Sequence, residues 1–147
     1  MLRFSKKVEY ALISLLHMSQ KKGEQLTSAA ELSRQYHIPQ ELISKVLQRL
    51  AKEEFIRSVQ GVKGGYFLGQ PIDAISVSQI VSAIDGPMKI VSCLEHRQTD
   101  RCIQKNHCTI KNPMGIIQRR LDIFFDTLTL RDLQQELSNH PKTAEIS

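Results

Sequence analysis

Phe55-Ile56-Arg57-Ser58-Val59-Gln60-Gly61-Val62-Lys63-Gly64-Gly65-Tyr66-Phe67-Leu68 is the stretch on which the fold of this 147-residue chain turns. Phe55 to Val59 alternates as a strand, Gly61 to Gly65 is a glycine-rich turn, and Tyr66 to Leu68 returns, which together make a β-hairpin. The glycines permit positive backbone torsions and close approach to a phosphate or a minor groove, with Lys63 at the tip. The other use of such a loop, cradling the phosphates of a nucleotide, is excluded: no helix opens directly after Gly65, and no Gly-Lys-Ser/Thr ending is present.

Upstream of the hairpin the periodicity predicts three helices. Val8, Ala11, Leu12, Leu15 and Leu16 recur at helical spacing after Ser5, a cap, and the pattern ends near Lys21-Lys22-Gly23. Thr27 or Ser28 caps a short second helix running to about Tyr36, with Glu31 placed for a capping box with Ser28. His37-Ile38-Pro39 is the turn, and proline suits the first position of a third helix whose buried stripe is Ile43, Val46, Leu47 and Leu50. The opposite face carries Gln40, Ser44, Lys45 and Gln48. Amide, hydroxyl and amine groups on the second helix of a tight pair are what reading base edges in the major groove demands. A polar helix face alone is commonly just solvated; the hairpin that follows makes this one part of a winged helix-turn-helix.

Charge points the same way. The net charge is +5, and residues 1–70 hold eleven Lys and Arg against six Asp and Glu, whereas residues 71–147 hold nine of each. All the excess therefore sits on the winged half, where neutralising backbone phosphates and releasing their counterions would use it. The length suits one core with an appendage rather than two independent domains. No run approaches the roughly 20 apolar residues of a membrane helix, and no signal-peptide pattern follows Met1 to Lys7, so a cytoplasmic protein with no membrane partner is expected.

Cys93, Cys102 and Cys108 are the only cysteines, and all three lie in one polar stretch. An odd count without a secretory signal argues against a disulfide framework. Three thiols separated by eight and then five residues can converge on one soft metal or cluster. Iron-sulfur clusters are held mainly by thiolates, and a carboxylate or histidine can replace one of them. A zinc site using His96 or His107 is open at this point, although the short Cys-x2-Cys knuckles of structural zinc are missing. So is a thiol switch, in which two of the cysteines oxidise to a disulfide. A small redox enzyme is disfavoured, since there is no Cys-x2-Cys pair, no nucleophile-base constellation and no cofactor fingerprint; the chain is not expected to be an enzyme.

Ile72 to Ala83 alternates briefly and becomes helical, ending before Gly86-Pro87. After the cysteine stretch, Asn112-Pro113 starts a long helix in which Ile117, Leu121, Phe124 and Leu128 recur at spacing 4, 3 and 4, widened by Ile116 and Phe125. One chain would leave much of that stripe exposed. Burial against the same helix of a second copy is the economical solution, beside some packing onto the first helix, and a two-fold pair matches a palindromic site on double-stranded DNA. From Ser138 onward the chain is expected to be loosely attached.

The opening Met1-Leu2-Arg3-Phe4-Ser5-Lys6-Lys7-Val8-Glu9-Tyr10-Ala11-Leu12, the helix pair, Ser58 to Tyr66, and Ile75-Ser76-Val77 running into Ala83-Ile84-Asp85-Gly86-Pro87 resemble the Rrf-type winged-helix regulators over about residues 1–135. The iron-sulfur members of that family include IscR, NsrR, RirA and the regulators of SUF cluster assembly. The resemblance implies a homodimer on a palindromic operator, repressing or activating transcription, with a 2Fe-2S or 4Fe-4S cluster on the loop between two helices. It also exposes departures. Many members place an arginine before the first wing glycine to enter the minor groove; here that residue is Gln60, so Lys63 or Arg57 would have to take over. The IscR-like histidine three residues after the last cysteine is replaced by Lys111. In NsrR-like members an acidic residue of the first helix, reaching from the partner, completes the cluster, and Glu9 matches that position.

The fold class expected is therefore mainly α with a small β wing: a winged helix-turn-helix over residues 1–87, a cysteine-containing sensor loop over 88–112, a dimerisation helix over 113–135 and a flexible tail over 136–147. The function expected is a homodimeric transcriptional regulator whose operator binding responds to a cluster sensing iron, nitric oxide or redox state, with a cluster-free, zinc or thiol-switch repressor as the alternative.

Overall fold

Ser5 opens the first helix, α1 (Lys6–Ser19), by accepting from the Val8 amide at 3.2 Å. The computed structural model describes residues 3–90 and 111–140. Ser28 caps α2 (Ala29–Tyr36) in the same way, its Oγ accepting from the Glu31 amide at 3.1 Å. Glu31 turns its own carboxylate toward α1, where Lys21 Nζ lies 2.6 Å and His17 Nε2 3.0 Å from Oε2. Burial raises the Glu31 pKa, but hydrogen bonds from Lys21 and His17 outweigh it and hold the carboxyl below its ordinary value. His17 Nδ1 also meets Tyr36 Oη at 2.9 Å. A polar set thus pins α1 to α2 beside the fully buried Leu15 and Leu32.

The turn out of α2 follows from two residues. His37 adopts φ 55°, in the left-handed region, and Ile38 is buried while its carbonyl accepts from Ser33 Oγ at 2.6 Å. Pro39 then caps α3 (Gln40–Lys52); its fixed torsion suits a helix start, and it brings no amide that needs a partner there. Ile43, Val46, Leu47 and Leu50 are all buried, which is the stripe the spacing predicts. Each such side chain contributes about 1.5–3 kcal/mol by leaving water.

Glu54 takes φ 64° and the Phe55 amide donates to Leu50 O at 3.0 Å, reversing the chain into β1 (Ile56–Val59). The partner strand, β2 (Gly65–Leu68), runs antiparallel with Ile56 opposite Leu68 and Val59 opposite Gly65. A third rung comes from far upstream. Thr27 exchanges two backbone hydrogen bonds with Tyr66, at 2.9 and 2.8 Å, so the hairpin is tied to the residue just before the α2 cap.

Two reciprocal capping boxes then sit back to back. Ser76 and Gln79 start α4 (Val77–Asp85), and Thr129 and Asp132 start α6 (Leu130–Asn139). Ser76 pairs with Thr129 across an antiparallel bridge, with Val77 N donating to Leu128 O at 2.8 Å and Leu130 N to Ile75 O at 3.0 Å. Leading into that bridge runs α5 (Lys111–Thr127). The main core joins Leu15, Leu32, Ile43, Leu47, Leu50, Ile56, Ile75, Ile80 and Leu130. A smaller cluster sets Val8, Val77 and Val81 against Phe4, Met88, Phe125 and Leu128.

The result is mainly α with a two-stranded wing. Among the described residues no helix is long and apolar enough to cross a membrane. Three details differ from the sequence reading. The capping box expected between Ser28 and Glu31 does not close, because Lys21 and His17 take the Glu31 carboxylate. The single helix expected over 113–135 is divided, because Leu128 and Thr129 are drawn into the bridge with α4 and Thr129 caps a new helix. In consequence Glu136 to Asn139, expected in a flexible tail, form the last turn of α6; residues 141–147 lie outside the described residues.

Candidate nucleic-acid interface and sensor segment

The four α3 side chains named from their spacing share one surface. Gln40, Ser44, Lys45 and Gln48 of α3 line one open concavity, joined by Glu41, which spacing alone could have added because it stands four residues before Lys45. None of these side chains makes a hydrogen bond or ion pair with another described residue, and all but Ser44 are exposed. Donors and acceptors left uncommitted on a helix backed by a rigid buried stripe are ready to meet base edges or phosphates.

The wing presents a second such set. Arg57, paired across the ladder with Phe67, is exposed on β1, and Gln60 and Lys63 are exposed in the turn, again without side-chain partners among the described residues. Val62 at the tip is fully exposed and unanticipated. The glycines are needed for two different reasons. Gly61 has φ 123°, which side-chain-bearing residues rarely adopt, and a Cβ on Gly64 would lie 2.3 Å from Val59 O. We predict that Gly64→Ala lowers stability by about 1–3 kcal/mol through this clash and weakens DNA binding, while helical content is retained. Urea denaturation and circular dichroism check it, and an unchanged denaturation midpoint would show the turn to be more compliant than described.

The apolar seam expected on α5 divides between two faces. Phe125 and Leu128 turn inward onto the small cluster, whereas Ile116, Ile117, Ile123 and Phe124 remain exposed, the last two at 62% and 57%. Ile123 was not part of the predicted stripe. The inward register Met114, Gln118, Leu121, Phe125, Leu128 holds one polar residue, Gln118, which is 5% exposed. Its Oε1 accepts from the Ile90 amide at 2.9 Å, and its Nε2 donates to Met88 O and to Asp122 Oδ1, both at 2.8 Å. An amide in an otherwise apolar register is the signal in the sequence that marks Gln118.

Of the candidate ligands, Cys93, Cys102 and Cys108 lie outside the described residues, as do His96 and His107. Glu9 is described. It sits in the first turn of α1 beside Val8, half exposed, with its carboxylate 2.9 Å from Lys6 Nζ. That exposed pair is worth little and would yield easily to a stronger cation. By donor chemistry alone, three thiolates and a carboxylate would suit an iron-sulfur cluster.

Comparison with known proteins places these features in context. The family model Rrf2, an iron-dependent transcriptional regulator, matches residues 4–136. The chain is 28% identical over 135 residues to the HTH-type transcriptional regulator NsrR of Oceanobacillus iheyensis, covering 90% of this chain and 89% of that protein. The structure of CymR, the global cysteine regulator of B. subtilis, superposes with a TM-score of 0.73 at 25% identity, over 92% of this chain and 98% of the other. An oxidized form of CymR from Staphylococcus aureus shares the fold with a TM-score of 0.68 at 22% identity, over 90% and 96% of the two chains.

Proposed function

We propose, from the premise that this chain belongs to the Rrf2 family of iron-dependent transcriptional regulators, that it acts as a homodimer on a palindromic operator and that an iron-sulfur cluster sets its affinity. Family members are regulators and not enzymes. The observation that carries the DNA-binding part is the uncommitted polar face of α3, Gln40, Glu41, Ser44, Lys45 and Gln48 on one concavity, followed at once by a wing that offers Arg57, Gln60 and Lys63. The α3 side chains would address the major groove and the wing the adjoining backbone or minor groove. Ile116, Ile117, Ile123 and Phe124 on α5 supply an apolar face for the second copy.

For the sensing part, Cys93, Cys102 and Cys108 would hold the cluster, and Glu9 of the partner subunit would complete it. Such a cluster supplies a redox-active, oxygen- and nitric-oxide-sensitive centre when bound. An oxygen ligand at one corner is the most exchangeable position, and the pairing of Glu9 with Lys6 would have to break for it to bind. A second reading is favoured by one observation, the oxidized CymR with this fold. In it the cysteines work as a thiol switch, or as a zinc site, without a cluster.

Anaerobic purification with an ultraviolet-visible spectrum separates these. We expect a brown protein with sulfide-to-iron charge-transfer bands that are lost in Cys93→Ser, Cys102→Ser and Cys108→Ser alike. Operator affinity should change when the cluster is stripped. A colourless protein whose free thiols disappear on mild oxidation would replace this reading with the thiol switch, and a colourless protein carrying zinc would replace it with the metal alternative.

A further inference from the structure

We infer that Gln118 is a positioning residue that makes the chain entering the cysteine segment and the dimer-facing helix α5 move as one body. This rests on the sensor reading of Cys93, Cys102 and Cys108. A buried amide is costly unless every donor and acceptor is satisfied, and Gln118 has one arrangement that does so: Ile90 N, Met88 O and Asp122 Oδ1. An apolar residue in the same register would fill the space equally well and leave Met88 to Ile90 free to slide along α5. The amide therefore fixes geometry rather than merely filling the core.

Ile90 is three residues before Cys93 in sequence, and Gln118 lies ten residues after Cys108, so this one side chain fastens together both approaches to the thiols. The same helix carries Ile117 and Phe124 on its outer face. Toward the DNA side, Met88 belongs to the cluster of Val8, Val77 and Val81, and Arg49 of α3 donates from Nε to Ala83 O in the last turn of α4 at 2.8 Å. A displacement at Ile90 is thus passed to α5 directly, and through α4 to the end of the reading helix, by packed or hydrogen-bonded groups.

The test uses the full-length homodimer. Gln118→Met keeps volume and helix propensity and removes all three bonds; Gln118→Glu keeps the acceptor for Ile90 N and removes the donors. For each, the operator dissociation constant is measured with the cluster bound and after its removal. In the wild type the two should differ by a factor of about 5–150. In Gln118→Met that factor should fall to within about twofold of unity and in Gln118→Glu, which keeps the Ile90 bond, to a value between that and the wild type, with cluster absorbance and a cooperative melting transition retained. The Ile90 amide should also lose protection from hydrogen exchange in Gln118→Met. Variants that keep the wild-type factor overturn the role of Gln118 alone. A wild-type factor of one overturns the sensor reading beneath it, and this inference with it. Variants that fail to fold or to take up the cluster show a purely structural residue and overturn it as well.

Discussion

Replacing Ile117 and Phe124 together by aspartate should convert the protein to a monomer and weaken its binding to a two-half-site operator by about 10²–10⁴-fold, the gain normally supplied by linking two sites. Both residues stand exposed on the outer face of α5 and belong to neither core cluster, so the substitutions cost the isolated subunit little. In a dimer, each side chain would gain about 1.5–3 kcal/mol by leaving water, and the introduced carboxylates would be buried without partners. Light scattering reads the first consequence and a titration of whole and half operators the second. Half-site affinity should stay near the wild-type value, because α3 and the wing are untouched. A variant that remains dimeric would place the subunit contact elsewhere and remove the function assigned to this face.

The other large effect concerns Lys45. It is exposed on the α3 face shared with Gln40, Ser44 and Gln48, and no described carboxylate holds it: Glu41, four residues earlier, is not within ion-pairing distance. Lys45→Glu replaces attraction to a phosphate by repulsion, twice per dimer. Affinity should fall roughly 10²-fold at 0.1 M salt for specific and random DNA alike, with the log-log salt dependence shallower by about 2. Loss confined to one base position would instead make Lys45 a base reader, and an unchanged slope would move the DNA-facing surface away from this helix. Any visible absorbance from the proposed cluster should not change.

What was legible in the sequence were the features decided by neighbouring residues. Ser5 and Ser28 cap where a hydroxyl precedes a helical pattern, and Ile43, Val46, Leu47 and Leu50 bury as their spacing requires. The glycines of the wing announced themselves by composition. Contacts between distant residues were not legible. Nothing in the spacing around Thr27 says that it will pair with Tyr66, and the apolar period running through Leu128 to Leu130 masks the cap at Thr129 that divides the helix. That cap had a local signal, Thr129 with Asp132 three residues on, which the longer periodicity obscured. Assigning Phe125 inward and Phe124 outward needed knowledge of what α5 packs against. Gln118 gave a signal of the opposite kind, an amide where the period called for a hydrocarbon. The ligand role of the three cysteines rests on composition and family resemblance.

The bridge between Ser76 and Thr129 has a mechanical consequence. It secures the carboxyl end of α5 to the starts of α4 and α6, while the amino end of α5 follows the thiol-bearing stretch in sequence. Were the helix pushed from its amino end, the bridge would make the region of Leu128 the point about which it turns. Seventeen residues span roughly 25 Å, so a push of about 3 Å at the amino end, carried with Met88 and Ile90 through Gln118, would swing the arm by about 7°. In the proposed dimer the paired arms would swing in opposite senses, so the angle between them would change by twice the swing of one and reset the distance from one DNA half-site to the other.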